Sequence, residues 1–155
     1  LITRCVRYNI KGRKYIDTPQ KYYFEDLGLR NARIGFRQVE ETHLMENLIH
    51  NELRLRGYLV DVGVVPTRTK AADGAYRRSQ LEVDFICNRG SERVYVQSAY
   101  RLPTAEKRQQ EMASLLKIDD SFRKVIITED LIKRHMDENG VEWVNVYDFL
   151  RSETV

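Results

Sequence analysis

Between Gln80 and Tyr100 the chain alternates apolar and polar residues twice, in Leu81-Glu82-Val83-Asp84-Phe85 and in Val94-Tyr95-Val96-Gln97-Ser98-Ala99, around the turn formers Asn88-Arg89-Gly90-Ser91. A period of two is what a half-buried strand requires, so the spacing predicts a β-hairpin and commits the chain to a sheet. Strict alternation puts Leu81, Val83 and Phe85 on one face and Glu82 with Asp84 on the other. On the second strand Tyr95, Gln97 and Ala99 lie opposite Val94, Val96 and Ser98. A carboxylate at a strand end beside a polar residue on the next strand is how a sheet presents ligands to a divalent cation. A hairpin with one wet face has the same letters, and both readings stay open at this point.

Helices flank this hairpin. From Glu40 to Arg56 the residues Leu44, Met45, Leu48, Ile49, Leu53 and Leu55 recur at amphipathic-helix spacing, with Gly57 as C-terminal cap and Glu46, Asn47 and His50 on the polar side. Tyr58 to Val65 reads as a buried strand. Pro66 to Ser79 has no periodicity and is expected to be a solvent-exposed loop. After the hairpin, Thr104 suits the cap of a helix reaching about Leu116. Val125-Ile126-Ile127 then suggests a strand covered on both faces, and strand, helix, strand in sequence predicts a parallel pairing. A short helix from Asp130 to Asp137, a strand from Glu142 to Val146 and a terminal helical turn complete the chain. At the other end, Val6 to Ile10 and Lys14 to Ile16 read as a hairpin turned on Gly12, broken by Thr18-Pro19, before a brief strand at Tyr22-Tyr23-Phe24.

The class is therefore mixed α/β, with residues 1–37 as an N-terminal hairpin and linker arm and 38–155 as the main domain. A chain of 155 residues buries roughly two thirds of its unfolded surface, enough for a full core. With 42% hydrophobic and 32% charged residues it is neither disordered nor membrane-spanning, and a cytoplasmic location is expected. Cys5 and Cys87 make no Cys-x-x-Cys unit and no zinc spacing with His43, His50 or His135, so two free thiols are expected. The net charge of +3 permits contact with nucleic acid without requiring it. Its nearest basic features are Arg77-Arg78 in the loop and Arg101, Lys107 and Arg108 after the hairpin.

Lys21-Tyr22-Tyr23-Phe24-Glu25-Asp26-Leu27-Gly28-Leu29, Glu46-Asn47, Glu82-Val83-Asp84-Phe85, Tyr95-Val96-Gln97 and Trp143 to Leu150 follow one another in an order that spans nearly the whole chain. In these residues the chain resembles the uncharacterised C-terminal domain that follows an AAA-type P-loop ATPase in many bacterial and archaeal proteins, a domain of the PD-(D/E)XK nuclease-like superfamily. The resemblance implies a restriction-endonuclease-like core of helix, three-stranded meander, helix and strand on a mixed sheet. It also implies an ATPase portion before Leu1; the chain itself has no Gly-x-x-x-x-Gly-Lys-Ser/Thr loop.

Carried over residue by residue, the resemblance places Asp84, Gln97 and Glu46 at the ligand positions for Mg²⁺ or Mn²⁺. The position of the catalytic lysine, two residues after Gln97, is Ala99. A methyl group neither donates to a phosphate nor stabilises hydroxide, and losing such a group commonly costs about 10²- to 10⁴-fold in rate. Lys107, at the start of the following helix, is the candidate for a relocated lysine. The leading expectation is an accessory domain of an AAA-type ATPase with a degenerate nuclease site that still touches nucleic acid. The alternatives are a metal-dependent DNA nuclease using Glu46, Asp84, Gln97 and Lys107, and an oligomerisation or partner-docking module.

Overall fold

The computed structural model describes the backbone of all residues except Gln38, Ala71, Ala72, Asp73 and Ala75, and the side chains of the remainder except Thr18, Thr69 and Lys70. It is an α/β fold with one mixed sheet. In chain order come β1 (Ile2–Asn9), β2 (Lys14–Phe24), α1 (Leu27–Arg33), α2 (Glu41–Leu55), β3 (Leu59–Lys70), β4 (Tyr76–Arg89), β5 (Glu92–Ala99), α3 (Ala105–Met112), a 3₁₀ turn (Leu115–Lys117), β6 (Arg123–Thr128), β7 (His135–Met136), β8 (Val141–Asn145) and α4 (Val146–Arg151). The eight strands lie in the order β2-β1-β3-β4-β5-β6-β8-β7. The meander β3-β4-β5 is antiparallel, and β6 joins β5 in parallel after α3, as the strand-helix-strand pattern predicts.

Two apolar layers cover the sheet. On one face Met45, Ile49 and Leu53 of α2 pack over Cys5, Val62, Phe85, Val94 and Val96; on the other Met112 of α3 and Leu115 cover Val83, Ile86, Tyr95, Ala99 and Ile126. Full burial of each large aliphatic side chain contributes about 1.5–3 kcal/mol, so Met45, Ile49 and Leu53 are enough to fix which side of α2 faces inward, while Leu55 at the end of the expected stripe is left 82% exposed.

The expected hairpin forms, turning on Gly90 at φ 59° with Arg89 paired to Glu92. Its first strand departs from strict alternation. Between the pairs Gly63–Val83 and Asp61–Ile86, β4 carries one more residue than β3, a β-bulge at Asp84 and Phe85. Val83 consequently belongs to the α3 layer and Phe85 to the α2 layer, instead of sharing a face. Gly63 opposite the bulge has no room for a side chain: a Cβ there would lie 2.9 Å from Val83 Cβ.

Three further segments differ from the sequence reading. The stretch from Pro66 to Ser79 is not a loop: β3 and β4 continue as a paired ribbon out to Lys70 and Tyr76, and only its tip, 71–73 and 75, lies outside the described residues. The segment from Asp130 to Asp137 is not helical and contains β7. β2 also runs on past Pro19, because the register with β1 jumps from Cys5–Lys21 to Arg7–Ile16 and leaves 17–20 looped out, where a proline without an N–H is tolerated. The hairpin read as an arm thus adds two strands to the same sheet, β1 pairing in parallel with β3 through Arg7 and Val62. Cys5 and Cys87 are buried free thiols on strands separated by β3, about 9–10 Å apart and beyond disulfide reach. No described helix is long and apolar enough to cross a membrane.

Candidate functional site

The place where β4 and β5 part brings the chemistry together. Their ladder ends at Phe85–Val96, and at the next step side chains replace backbone partners. Asp84 Oδ2 accepts from the Ser98 N–H at 2.9 Å, and Gln97 Oε1 accepts from the Asp84 N–H at 3.3 Å. Asp84 keeps to the side of Glu82, the α2 face, where burial leaves it 8% exposed.

On that face stands a residue the sequence reading did not place in the site. Lys21 pairs with Cys5 across β1–β2, and the period of two sets it beside Tyr23, both facing α2. Its ammonium lies 2.8 Å from Glu46 Oε1, 2.6 Å from Glu82 Oε1 and 3.4 Å from Asp84 Oδ1. Three N–H donors thus face three carboxylates. Tyr23 donates to the same Glu46 oxygen at 2.6 Å, and Arg7 forms an ion pair with Glu82. Asn47, one residue after Glu46, holds the β2 edge in place: its Oδ1 accepts from the Phe24 N–H at 2.9 Å and its Nδ2 donates to the Phe24 carbonyl at 2.7 Å. Asn51 Nδ2 donates to that carbonyl as well, at 2.8 Å. Lys21 is therefore positioned by main-chain bonds three residues away, not by its own side chain alone. His50, expected on a wet face, is fully buried and stacks on Tyr23 with ring centroids 4.1 Å apart.

Charge explains the titration of this cluster. Burial, followed by repulsion from Glu46, raises the Asp84 carboxyl to about 7, against the opposing pull of Lys21 and the Ser98 N–H. Burial works against the Lys21 ammonium, but the carboxylates of Asp84 and Glu46 outweigh it and hold its pKa above the ordinary lysine value. Glu82 is also penalised by burial, yet its bonds to Lys21 and Arg7 hold it below the ordinary glutamate range. Tyr23 is pushed up by burial and by Glu46, and His50 is pushed down by burial, so its ring is held neutral. A cleft of about 350 Å³ lined by Lys21, Tyr23, Arg30, His43 and Glu46 opens onto the cluster. A larger cleft of about 800 Å³, under Met112, Leu116 and Trp143, lies against the α3 layer and away from Asp84, and another of the same volume lies beside Tyr8, Arg93 and Phe122.

Of the residues expected in the site, Glu46 and Asp84 meet at Lys21, and Gln97 meets the Asp84 backbone. Gln97 also donates to Glu111 Oε2 at 3.3 Å. Lys107 pairs with Glu111 at 2.7 Å, one helical turn along α3, so the lysine that reaches Asp84 is Lys21 and not Lys107. Ala99 is packed in the apolar layer under α3. Asp84 Oδ2 already accepts from Ser98, Gln97 Oε1 from Asp84, and Glu46 Oε1 from Tyr23 and Lys21, so a divalent cation would have to displace the Lys21 ammonium. Among the described residues no three His, Cys, Asp or Glu side chains are arranged around a vacant metal position; the three carboxylates here converge on the Lys21 ammonium instead.

Comparison with known proteins gives one relative to set beside this geometry. The chain is 32% identical over 150 residues to an uncharacterised protein of Haemophilus influenzae, in an alignment covering 97% of this chain and 33% of that protein. It therefore spans about a third of the length of the curated relative it matches. No protein-family model matches the chain, and no solved structure matches it.

Proposed function

We propose that this chain is an accessory domain with a restriction-endonuclease-like core, which contacts nucleic acid without cutting it and belongs to a longer protein with an AAA-type ATPase portion. The order α2, antiparallel β3-β4-β5, α3 and parallel β6 supports the core, as do Asp84 and Gln97 at the parting of β4 and β5. The length of the Haemophilus relative supports a larger parent. The observation that carries the loss of cutting is Lys21, whose ammonium stands among Glu46, Glu82 and Asp84 where a nuclease of this kind would hold its metal. A fixed single positive charge satisfies the carboxylates and presents no water to activate, while Ala99 leaves the lysine position on β5 empty of chemistry.

The test is calorimetric titration of Mn²⁺ into wild type and Lys21→Met, with both proteins then incubated with single- and double-stranded DNA. Wild type should show neither binding heat nor cleavage. Lys21→Met should melt lower without metal, by the equivalent of about 3 kcal/mol for a buried charge left unpaired, and Mn²⁺ should bind it and raise its melting temperature. Binding by wild type that Asp84→Ala removes, together with cleavage, would overturn this reading. It would establish the second one, a working metal-dependent nuclease in which Lys21 takes the part first assigned to Lys107; the 3.4 Å approach of Lys21 to Asp84 is the observation that favours it.

A further inference from the structure

The outer halves of β3 and β4 form a ribbon that runs beyond the rest of the sheet. From Pro66–Gln80 to Lys70–Tyr76 the two strands pair with each other alone, and all of 76–80 are exposed on both faces of the ribbon. A two-stranded ribbon without a buried face is marginal in water. Its composition weakens it further: Arg68 and Arg78 are direct cross-strand partners, and like charges directly opposite one another are destabilising. Inside it the hydroxyls of Thr67 and Ser79 meet at 2.6 Å, a contact that helps hold the register without burying anything.

Charge is concentrated there. Residues 66–80 carry four of the 26 Lys and Arg residues and one of the 23 Asp and Glu residues, so the rest of the chain holds 22 of each and the net charge of +3 resides on this ribbon. Alternation along β4 puts Arg78 and Tyr76 on the same side as Glu82, the side that carries Lys21 and Asp84, and Arg68 joins them through its pairing with Arg78. Six residues of strand separate Arg78 from Asp84, about 20 Å. That equals about six steps of a nucleic-acid strand at 3.4 Å per phosphate.

We infer that the ribbon is a duplex-DNA arm that enters the major groove and sets Arg68 and Arg78 against the phosphates, holding the duplex along the face that leads to Asp84. The proposal rests on the nucleic-acid reading of the site and names its partner. A two-stranded ribbon fits the B-form major groove, about 12 Å wide, whereas the deep, narrow major groove of duplex RNA excludes it. Phosphates between Arg68 and Arg78 remove the repulsion that the ribbon otherwise carries, so binding and ribbon order are coupled.

The experiment is fluorescence anisotropy with a labelled 24-base-pair DNA duplex, in EDTA so that metal chemistry plays no part, at several salt concentrations. The 155-residue wild type is compared with Arg68→Gln/Arg78→Gln, with the charge-matched control Arg33→Gln/Lys117→Gln, and with Asp84→Asn. Wild type and control should bind alike. The ribbon variant should bind about tenfold or more weaker at low salt, with a log–log salt slope shallower by about 2, one unit per lost phosphate contact. Equal binding by the ribbon variant and the control, no binding by wild type, or tighter binding of the same sequence as duplex RNA would each overturn the inference. Loss of binding in Asp84→Asn alone would place the nucleic acid at the carboxylate cluster and remove the ribbon from its recognition, while leaving the proposed function standing.

Discussion

Lys21 sits where two opposed demands on one side chain are both met. Burial of an ammonium is expensive, and three carboxylates, none of which would be comfortable without it, make it stable. The pH dependence of this arrangement follows from Asp84. Its folded pKa of about 7 lies above the ordinary value of 3.8, so between these limits the folded chain keeps a proton that the unfolded chain has released. Stability from this group is complete below about pH 4 and is lost as pH rises through 7. Scanning calorimetry from pH 4 to 8 should show wild type falling relative to Asp84→Asn over that window; parallel curves would mean that Lys21 keeps Asp84 charged throughout. Glu46, Asp84 and Gln97 were named through the resemblance, and periodicity supplied only the helix and strands that carry them. Lys21 was not placed with them, because the face it takes depends on the pairing of β2 with β1 and on the looped-out residues 17–20, neither of which leaves a mark in local pattern. Lys107 drew attention by its place near a helix start, but Glu111 four residues on captures it.

At the scale of elements, the bulge in β4 decides more than any helix. It moves Phe85 across the sheet to the side of Asp84 and α2, and it depends on the empty space at Gly63. Gly63→Ala should therefore cost about 1–3 kcal/mol, as overpacking in a filled core does, read from the midpoint of urea unfolding. A cost below about 0.5 kcal/mol would show that Val83 yields and that the bulge is not held from this side. The hairpin from Gln80 to Tyr100 was readable because alternation and Gly90 agree. The ribbon beyond it was not: its strands bury neither face, so no apolar period announces them, and the same polarity makes Pro66 to Ser79 look like a loop.

For the molecule as a whole, the first two strands share the sheet and one apolar layer with the rest of the chain. Cys5 and Tyr23 lie in the same apolar layer as Ile49, Leu53 and Phe85, and β1 covers an edge of β3 that would otherwise be open. A chain beginning at residue 38 should accordingly show no cooperative thermal transition, monitored by circular dichroism, where the full chain melts in one step; a sharp melt in the shortened chain would make the arm a separate unit. The mixed α/β class and the parallel entry of β6 were readable from element order, whereas the place of β1 beside β3 joins residues 55 positions apart and has no local signal. That separation also sets the timing of assembly. Lys21 and Asp84 are 63 residues apart, so on a ribosome adding about 5–20 residues per second the lysine emerges roughly 3–13 s before its last carboxylate partner exists. The carboxylate cluster cannot guide the first half of the growing chain; it closes only once the meander has been made, before α3 and β6 complete the sheet.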